Sequence, residues 1–491
     1  MKRFLCVLLT LVTLCGGAAL AETEKAALTG LIVLPEGTDR ETLFDLMQEI
    51  AYETNVDIAW EEMTAENWSK AKESRLSSGN LPDILLNAVN ENDIAAHPDL
   101  FLELDFLSFR LAPALRRMFS DEPDTLALAS DVNEMIYCLP AFLGVEPACE
   151  TVMFINQTWL NKLNLSMPRT LNELKTVLKA FRDNDCNGNG NSSDEIPLDY
   201  CGWFGSPYSL TNLLGSWGVQ LTNSGSGGFF VENGEVKNYT VDDRYRALLL
   251  YVNGLYVEGL ISKEPVKSGE DEYLARSHGN QNGCAIVGVA MGRSAENQFG
   301  AGLKDQYVPL PPLDNSDDML TTSEARWSYD YSGLNIRACR ASVSAGCASP
   351  EAAMRFLDAF YRPEYSKKTF MSGLSDVLPV YICRDEAAAL SPERDEARAE
   401  REPYTEALSN IDMVTEYYPQ EFMNYTAKEK AEMTPLLNKS LIVAQQWWPR
   451  FLTGEADIPT YWDEYVRQVN SMGLPTVLAI RQRAFEAYQG K

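Results

Sequence analysis

Histidine is almost missing from this chain. It has two, His97 and His278, and nothing around either is arranged as a nucleophilic triad or a metal site. Loop or surface positions are the default for both. The ten cysteines never fall as a CxxC pair, which argues against a zinc ribbon or a thioredoxin-type centre. No G-x-x-x-x-G-K-[ST] phosphate loop is present, so nucleotide hydrolysis has no cradle here. No segment beyond the first residues reaches the roughly 18 uninterrupted apolar positions of a membrane-spanning helix. Basic residues are also scarce, 42 Lys and Arg against 70 Asp and Glu, for a net charge of −28. Such a surplus repels phosphate backbones and anionic lipid, so nucleic acid and direct membrane binding are disfavoured. No catalytic residue and no organic cofactor is assigned. Disorder is excluded as well, because 45% of the residues are hydrophobic.

What is there begins with an export signal. Lys2 and Arg3 precede the apolar run Phe4 to Leu14, and Ala19-Leu20-Ala21 offers small residues where a signal peptidase cuts. Residues 1–21 are therefore read as a signal peptide and the mature chain as extracellular or held at the cell surface. Leu11-Val12-Thr13-Leu14-Cys15-Gly16-Gly17 also resembles a lipobox that would attach lipid to Cys15, although Leu14 stands where a small residue is usual. Cleavage removes two basic residues and no acidic one, so −28 becomes −30. About 470 residues remain, too many for one core, and two lobes are expected. Eight cysteines stay in the mature chain. Export permits disulfides such as Cys339 with Cys347, and buried free thiols are equally compatible.

The first part of the mature chain alternates strand and helix. Leu28 to Leu34 is an apolar run; Thr38 with Glu41 forms a capping box, and Leu43, Phe44, Met47, Ile50 and Ala51 share a helical face. Val56 to Trp60, the helix Glu66 to Ser78 and the strand Ile84 to Leu86 complete a βαβαβ unit, hence a parallel sheet covered on both faces. A helix is expected around Leu111 to Phe119. Met135 to Pro140 reads as a strand ending in a break, and Val152 to Asn156 as another strand. Thr170 and Glu173 form a second capping box, before a face of Leu171, Leu174, Val177, Leu178 and Phe181. Later helices are expected over 242–257, 350–361 (capped by Ser349), 435–452, 457–472 and 475–488, with a solvated helix over 384–402.

One short segment carries metal chemistry. Asp183-Asn184-Asp185-Cys186-Asn187-Gly188-Asn189-Gly190-Asn191-Ser192-Ser193-Asp194 fits the calcium loop D-x-[DN]-x-[DN]-G-x5-[DE]. Hard Ca²⁺ takes about seven oxygens, and Asp183, Asp185, Asn187, Asn189 and Asp194, with Glu195 as a substitute at the end, can offer them. Ile196-Pro197-Leu198 cannot continue a helix, so this is a lone loop with a structural role rather than an EF-hand pair. An unoccupied Asn/Gly turn is the alternative.

Several pieces then fall in a familiar order. Ser78-Gly79-Asn80-Leu81-Pro82-Asp83 leads into a strand, and Tyr137-Cys138-Leu139-Pro140 precedes Phe154-Ile155-Asn156-Gln157-Thr158-Trp159-Leu160. Pro350-Glu351-Ala352-Ala353-Met354-Arg355-Phe356-Leu357 follows, and Phe451-Leu452-Thr453-Gly454-Glu455 comes before Trp462-Asp463-Glu464-Tyr465. In that order the chain resembles the extracellular solute-binding proteins of carbohydrate ABC importers, the maltose-binding type and its larger lipoprotein subgroup. The resemblance implies an α/β, two-lobed periplasmic-binding-protein-like fold (type II) with a ligand cleft between the lobes. It maps lobe one to 22–143 plus 310–370 and lobe two to 146–308 plus 375–491. It also implies a monomer whose partners are a sugar-like small molecule and the transmembrane subunits of an ABC permease. Relatives carry a similar Asp/Asn/Gly loop one residue shorter.

Sugars present flat C–H faces and rims of hydroxyls, which receptors meet with aromatic and polar side chains. The cleft residues expected are therefore Trp203, Phe204 and Tyr208, in the segment matching an aromatic Pro-Tyr stretch of the maltose-binding type, and Trp327, Tyr329 and Asp330 before a strand over 334–336. Glu36, Asn87 and Asn90 join them because they follow strand ends, where open parallel sheets bind ligands. Trp447 and Trp448 are read as core. A secreted glycoside hydrolase stays open as a rival, since acidic residues are plentiful, and so does a ligand-sensing subunit of a signalling system.

Overall fold

The computed structural model describes residues 25–143, 149, 151–202, 206–221, 227–263, 269–328, 337–383, 386, 390, 399–404, 418–420 and 423–490. The expected signal peptide, the strand over 334–336 and most of the helix over 384–402 lie outside these residues. No helix among them is long and apolar enough to cross a membrane.

Twelve strands form among the described residues: β1 (Ala26–Leu34), β2 (Val56–Thr64), β3 (Ile84–Leu86), β4 (Cys138–Leu143), β5 (Val152–Asn156), β6 (Ile196–Leu198), β7 (Phe229–Glu232), β8 (Glu235–Asn238), β9 (Val287–Gly292), β10 (Tyr307–Leu310), β11 (Arg337–Val343) and β12 (Tyr381–Ile382). They build a six-stranded sheet in the order β12-β4-β11-β3-β1-β2, a four-stranded sheet in the order β10-β5-β9-β6, and the hairpin β7-β8.

The βαβαβ reading holds. β1 pairs in parallel with β2 from Ala26↔Val56 to Leu34↔Thr64, and with β3 from Gly30↔Ile84. Along β1, Leu28, Ile32 and Leu34 enter one apolar cluster and Leu31 and Val33 another. Both faces of the sheet are thus covered, as a parallel sheet requires. Each of these side chains contributes about 1.5–3 kcal/mol by leaving water. β11 then enters between β3 and β4, antiparallel to both.

Local chemistry moved some boundaries. The first helix (Arg40–Glu53) is capped by Asp39, which accepts from the Thr42 N–H at 3.2 Å. Thr38 turns back to the Pro35 carbonyl instead. At the helix Leu171–Asp183, Thr170 caps as expected and accepts from the Glu173 N–H, whereas the Glu173 carboxylate takes the Arg169 N–H at 2.7 Å. Ser349 precedes the helix Pro350–Ala359 without a side-chain cap bond. The helical stretch expected over 111–119 divides at Ala112 into Asp105–Leu111 and Pro113–Asp121, because Pro113 disfavours helical backbone at the residue before it. β4 does not break at Pro140 but runs through it. The missing N–H costs little there, since the pairing with β11 shifts register opposite this point and β12 pairs only at Phe142 and Leu143.

Three stretches of chain join the two large sheets: β4 to β5, β10 to β11, and the return after β12. The Tyr404 hydroxyl, on the far side of that return, accepts from the Met153 N–H of β5 at 2.8 Å and donates to the Leu310 carbonyl of β10. β12 (Tyr381–Ile382) thus belongs to the six-stranded sheet, whereas Tyr404 is bonded to strands of the four-stranded one. Three helices, Ala427–Thr453, Ile458–Ser471 and Leu474–Gln489, close the chain. Their aromatic residues Trp447, Trp448, Trp462 and Tyr465 are buried, so Trp447 and Trp448 are core as expected.

Candidate ligand cleft and calcium loop

The strand ends of the larger sheet were expected to face a ligand, and the structure spends their side chains in different ways. Asn87 directly follows β3 in left-handed backbone (φ 52°). Its amide donates to the Val33 carbonyl at 2.9 Å, and its Oδ1 accepts from Nη1 of Arg340. Both ends of the amide are committed. Asn90 caps the helix Glu91–Ala96, accepting from Asn92 and Asp93 N–H groups at 2.9 and 3.1 Å, while Asp93 takes the Asn90 N–H. Glu36 stays exposed in the turn after β1.

The aromatic expectations separate as well. Tyr208 is buried against Tyr273, with ring centroids 5.2 Å apart, and its hydroxyl donates to Glu270 at 3.0 Å. Trp327 is buried too; its indole N–H donates to the Thr151 carbonyl at 2.6 Å and its ring meets Tyr404 edge-on. Both rings are buried in this structure, each with its polar tip bonded. Tyr208 packs on the helix Glu270–Ser277, and Trp327 on the chain entering β5, each a place that suits a large ring with a polar tip. Trp203, Phe204, Tyr329 and Asp330 lie outside the described residues.

A residue that the motif reading missed occupies the same sheet edge. Arg340 of β11 is buried, and its main-chain carbonyl accepts from the Asn87 N–H at 2.8 Å. Its signal was a second arginine inside the short strand Arg337-Ala338-Cys339-Arg340. Nearby, a cavity of about 380 Å³ separates the helix Glu91–Ala96 and Tyr137 from the start of the helix Ala427–Thr453. Lys430 spans its edge, donating to the Asn92 amide oxygen at 2.9 Å.

The acidic loop turns around Asp185. The Asp185 carboxylate accepts from the N–H groups of Gly188 (2.7 Å), Asn189 (3.1 Å) and Gly190 (2.9 Å). Burial works to raise its pKa, but those donors and the Lys162 charge hold it below the usual range. Three successive N–H groups thus pin the Asp185 carboxylate as the first residue of the turn. Asn187, Asn189 and Asn191 follow at alternate positions, and Gly190 supplies left-handed backbone (φ 85°) at the sixth. Asp183, taken as the first ligand, instead pairs with Arg182 at 2.7 Å and stays exposed.

At the closing end, Glu195 accepts from Cys186 and Asn187 N–H groups with one oxygen. Its other oxygen and Oδ1 of Asp194 are buried without partners. Burial, with the Asp194 charge adding to it, pushes the Glu195 carboxyl upward. Two unsatisfied carboxylate oxygens beside amide oxygens fit the needs of a hard cation. Among the described residues no group of three or more His, Cys, Asp or Glu side chains closes on a metal position, so the fit rests on mixed carboxylate, amide and main-chain oxygens. Cys339 and Cys347 are free thiols, and the two histidines sit at helix ends.

Comparison with known proteins decides the family. A family model described as bacterial extracellular solute-binding protein matches residues 39–367. The chain belongs to that family. Over 490 aligned residues this solute-binding protein is 24% identical to the fructooligosaccharide ABC transporter substrate-binding protein FusA of Streptococcus pneumoniae, covering 90% of this chain and 87% of FusA. The solved structure of an HMO-binding, ABC-transporter-associated solute-binding protein from Bifidobacterium longum infantis superposes with a TM-score of 0.79 at 26% identity, over 95% of this chain and 99% of that one. A FusA EF-hand mutant in complex with fructo-nystose shares the fold at 21% identity, with a TM-score of 0.72 over 94% and 99% of the two chains. The two-lobed α/β expectation is met by this likeness.

Proposed function

We propose that this chain is an exported, monomeric receptor that holds an oligosaccharide between two lobes and passes it, unchanged, to the transmembrane subunits of an ABC importer. The observation that carries the reading is the end-to-end likeness to FusA and to the Bifidobacterium receptor, in which 90% and 95% of this chain take part. Lobe one is assigned 22–143 and 310–370, extended through β12, and lobe two takes the remainder. Three connections between the sheets suit a hinge that bends while keeping the lobes together. Catalysis has no part in this reading.

The loop from Asp185 to Glu195 holds a structural Ca²⁺. Asp185, Asn187 and Asn189 open the ligand set, Asp194 and Glu195 close it, and Asp183 stays outside. The ion would neutralise the crowded carboxylates and tie the helix Leu171–Asp183 to β6; the solute binds elsewhere. A thermal-shift screen against fructooligosaccharides, milk-type oligosaccharides and other glycans, with and without calcium, tests both parts. A tight ligand raises the melting temperature by mass action. Absence of any response to a broad glycan panel would reject the oligosaccharide assignment.

A further inference from the structure

Three arginines are buried among the described residues, Arg244, Arg340 and Arg481; Arg481, like Arg340, has a buried Nε with no acceptor. Arg244 pairs with Glu232 at 2.7 Å and Asp242 at 2.9 Å and lies over the Phe230 ring. Arg481 is held against aromatic faces, 3.9 Å from the Phe229 centroid and 5.3 Å from that of Tyr418. Arg340 has neither arrangement. Nη1 donates to the Asn87 amide oxygen, and Nε is buried with no acceptor. Its carboxylate partner among the described residues, Asp376, stands 3.9 Å from Nη2 with its own side chain 65% exposed. Burial, and then the Arg337 charge beside it, lower the Arg340 pKa to about 10, so it remains a cation at neutral pH.

Its place in the sheet gives that charge a use. β11 runs antiparallel between β3 and β4, and Arg340 lies level with Asn87, just past the carboxyl end of β3. Arg337 is one step farther along the same edge, opposite Ala141. Ligands of open α/β sheets sit beyond such ends. Asn87, with both ends of its amide committed, positions the guanidinium rather than meeting a ligand. A buried cation whose carboxylate partner stands 3.9 Å off and largely in water is costly to keep in a chain this acidic unless something outside the chain adds to its neutralisation. Hydroxyls of a neutral sugar would satisfy its donors but not its charge.

We propose that Arg340 anchors the solute and that the solute carries an acidic group, such as the carboxylate of a uronic or sialic acid residue. This rests on the receptor reading above and narrows its substrate class. The test is titration calorimetry on the mature chain with paired probes that differ in charge: oligogalacturonates against their methyl esters, and sialyllactose against lactose. Binding is expected for an acidic member of a pair and not for its neutral counterpart. Arg340→Met should weaken that binding on the order of 100-fold, and Arg340→Lys should restore part of it. Unliganded Arg340→Met should melt close to the native chain, since volume is kept and removal of a weakly paired buried charge offsets the donor that Asn87 loses. A neutral oligosaccharide bound equally by the native chain and Arg340→Met would overturn the anchor and leave the receptor reading standing. A large fall in the unliganded melting temperature of Arg340→Met would also overturn it, by making the residue structural. If no glycan of either kind binds, both readings fall.

Discussion

Gly215 is the point where a connection between the sheets rests on the second lobe, and it gives a sharp mechanical test. It lies in the 3-10 helix Leu210–Trp217. The Arg326 N–H donates to its carbonyl at 2.9 Å, and the Thr322 N–H donates to Trp217 at 3.3 Å. A Cβ on Gly215 would stand 1.9 Å from the Arg326 carbonyl oxygen and 2.5 Å from its carbon. Both are main-chain atoms, so no side chain can swing away. The segment leading to Trp327 would have to retreat by about 1.5 Å to reach ordinary contact. That shift would also strain the indole bond from Trp327 to Thr151. Overpacking of this kind costs about 1–3 kcal/mol, and each kcal/mol lowers the melting temperature by roughly 2–4 °C in a domain of this size. Gly215→Ala should therefore melt several degrees lower and bind its solute more weakly, because the hinge starts from a displaced position. Gly302→Ala, with nothing within 4 Å of the added Cβ, is the matched control and should stay near the native value. Thermal unfolding with and without ligand reads both quantities. If Gly215→Ala and Gly302→Ala behave alike, the connection does not rest on this helix and the reasoning is wrong.

Other outcomes follow from single sites. Chelation should lower the melting temperature; Asp185→Asn should abolish that response while Asp183→Asn keeps it, and the reverse pattern would restore the earlier register. Asp358 is buried and accepts from the Ala114 and Leu115 N–H groups at 3.0 and 2.9 Å, so Asp358→Ala strands two donors and should cost about 1–3 kcal/mol for each in denaturant unfolding. The Tyr365 hydroxyl and Arg362 hold the Glu53 carboxyl below its usual 4.5. That contact is therefore fully formed above pH 4.5 and is lost as pH falls through the lower folded pKa. Glu53→Gln should lose part of this acid dependence, and an identical melting profile between about pH 5 and 2.5 would refute the contact.

How much of this was legible in the sequence depended on how local each signal was. β1, β2 and β3 were readable because apolar residues and helix caps recur within a few positions. The helix Leu171–Asp183 buries the five residues its periodicity named. β11 and β12 were not readable, since a short strand is defined by partners far along the chain: Ala341 pairs with Leu86, and Tyr381 with Phe142. The choice between Thr38 and Asp39 as cap turned on which oxygen reaches the Thr42 N–H, a matter of one residue in a run of polar ones. In the acidic loop Asp and Asn repeat at every second position, so alignments starting at Asp183 and at Asp185 look alike in sequence. Only the three N–H groups around Asp185 distinguish them. Tyr208 and Trp327 are buried, and in sequence a large ring in a loop reads the same whether it meets a solute or packs inside. Arg340 was legible only as an oddity, a charge inside a strand, whose meaning waited on its neighbours.

The central claim is that a glycan enters, is held and leaves without chemistry. Equilibrating the purified chain with the glycan its thermal-shift screen selects, then weighing the recovered ligand by mass spectrometry, addresses it directly. One equivalent bound per chain and released at its original mass is the predicted result. A shortened or hydrolysed glycan, or no retained glycan at all, would contradict the account.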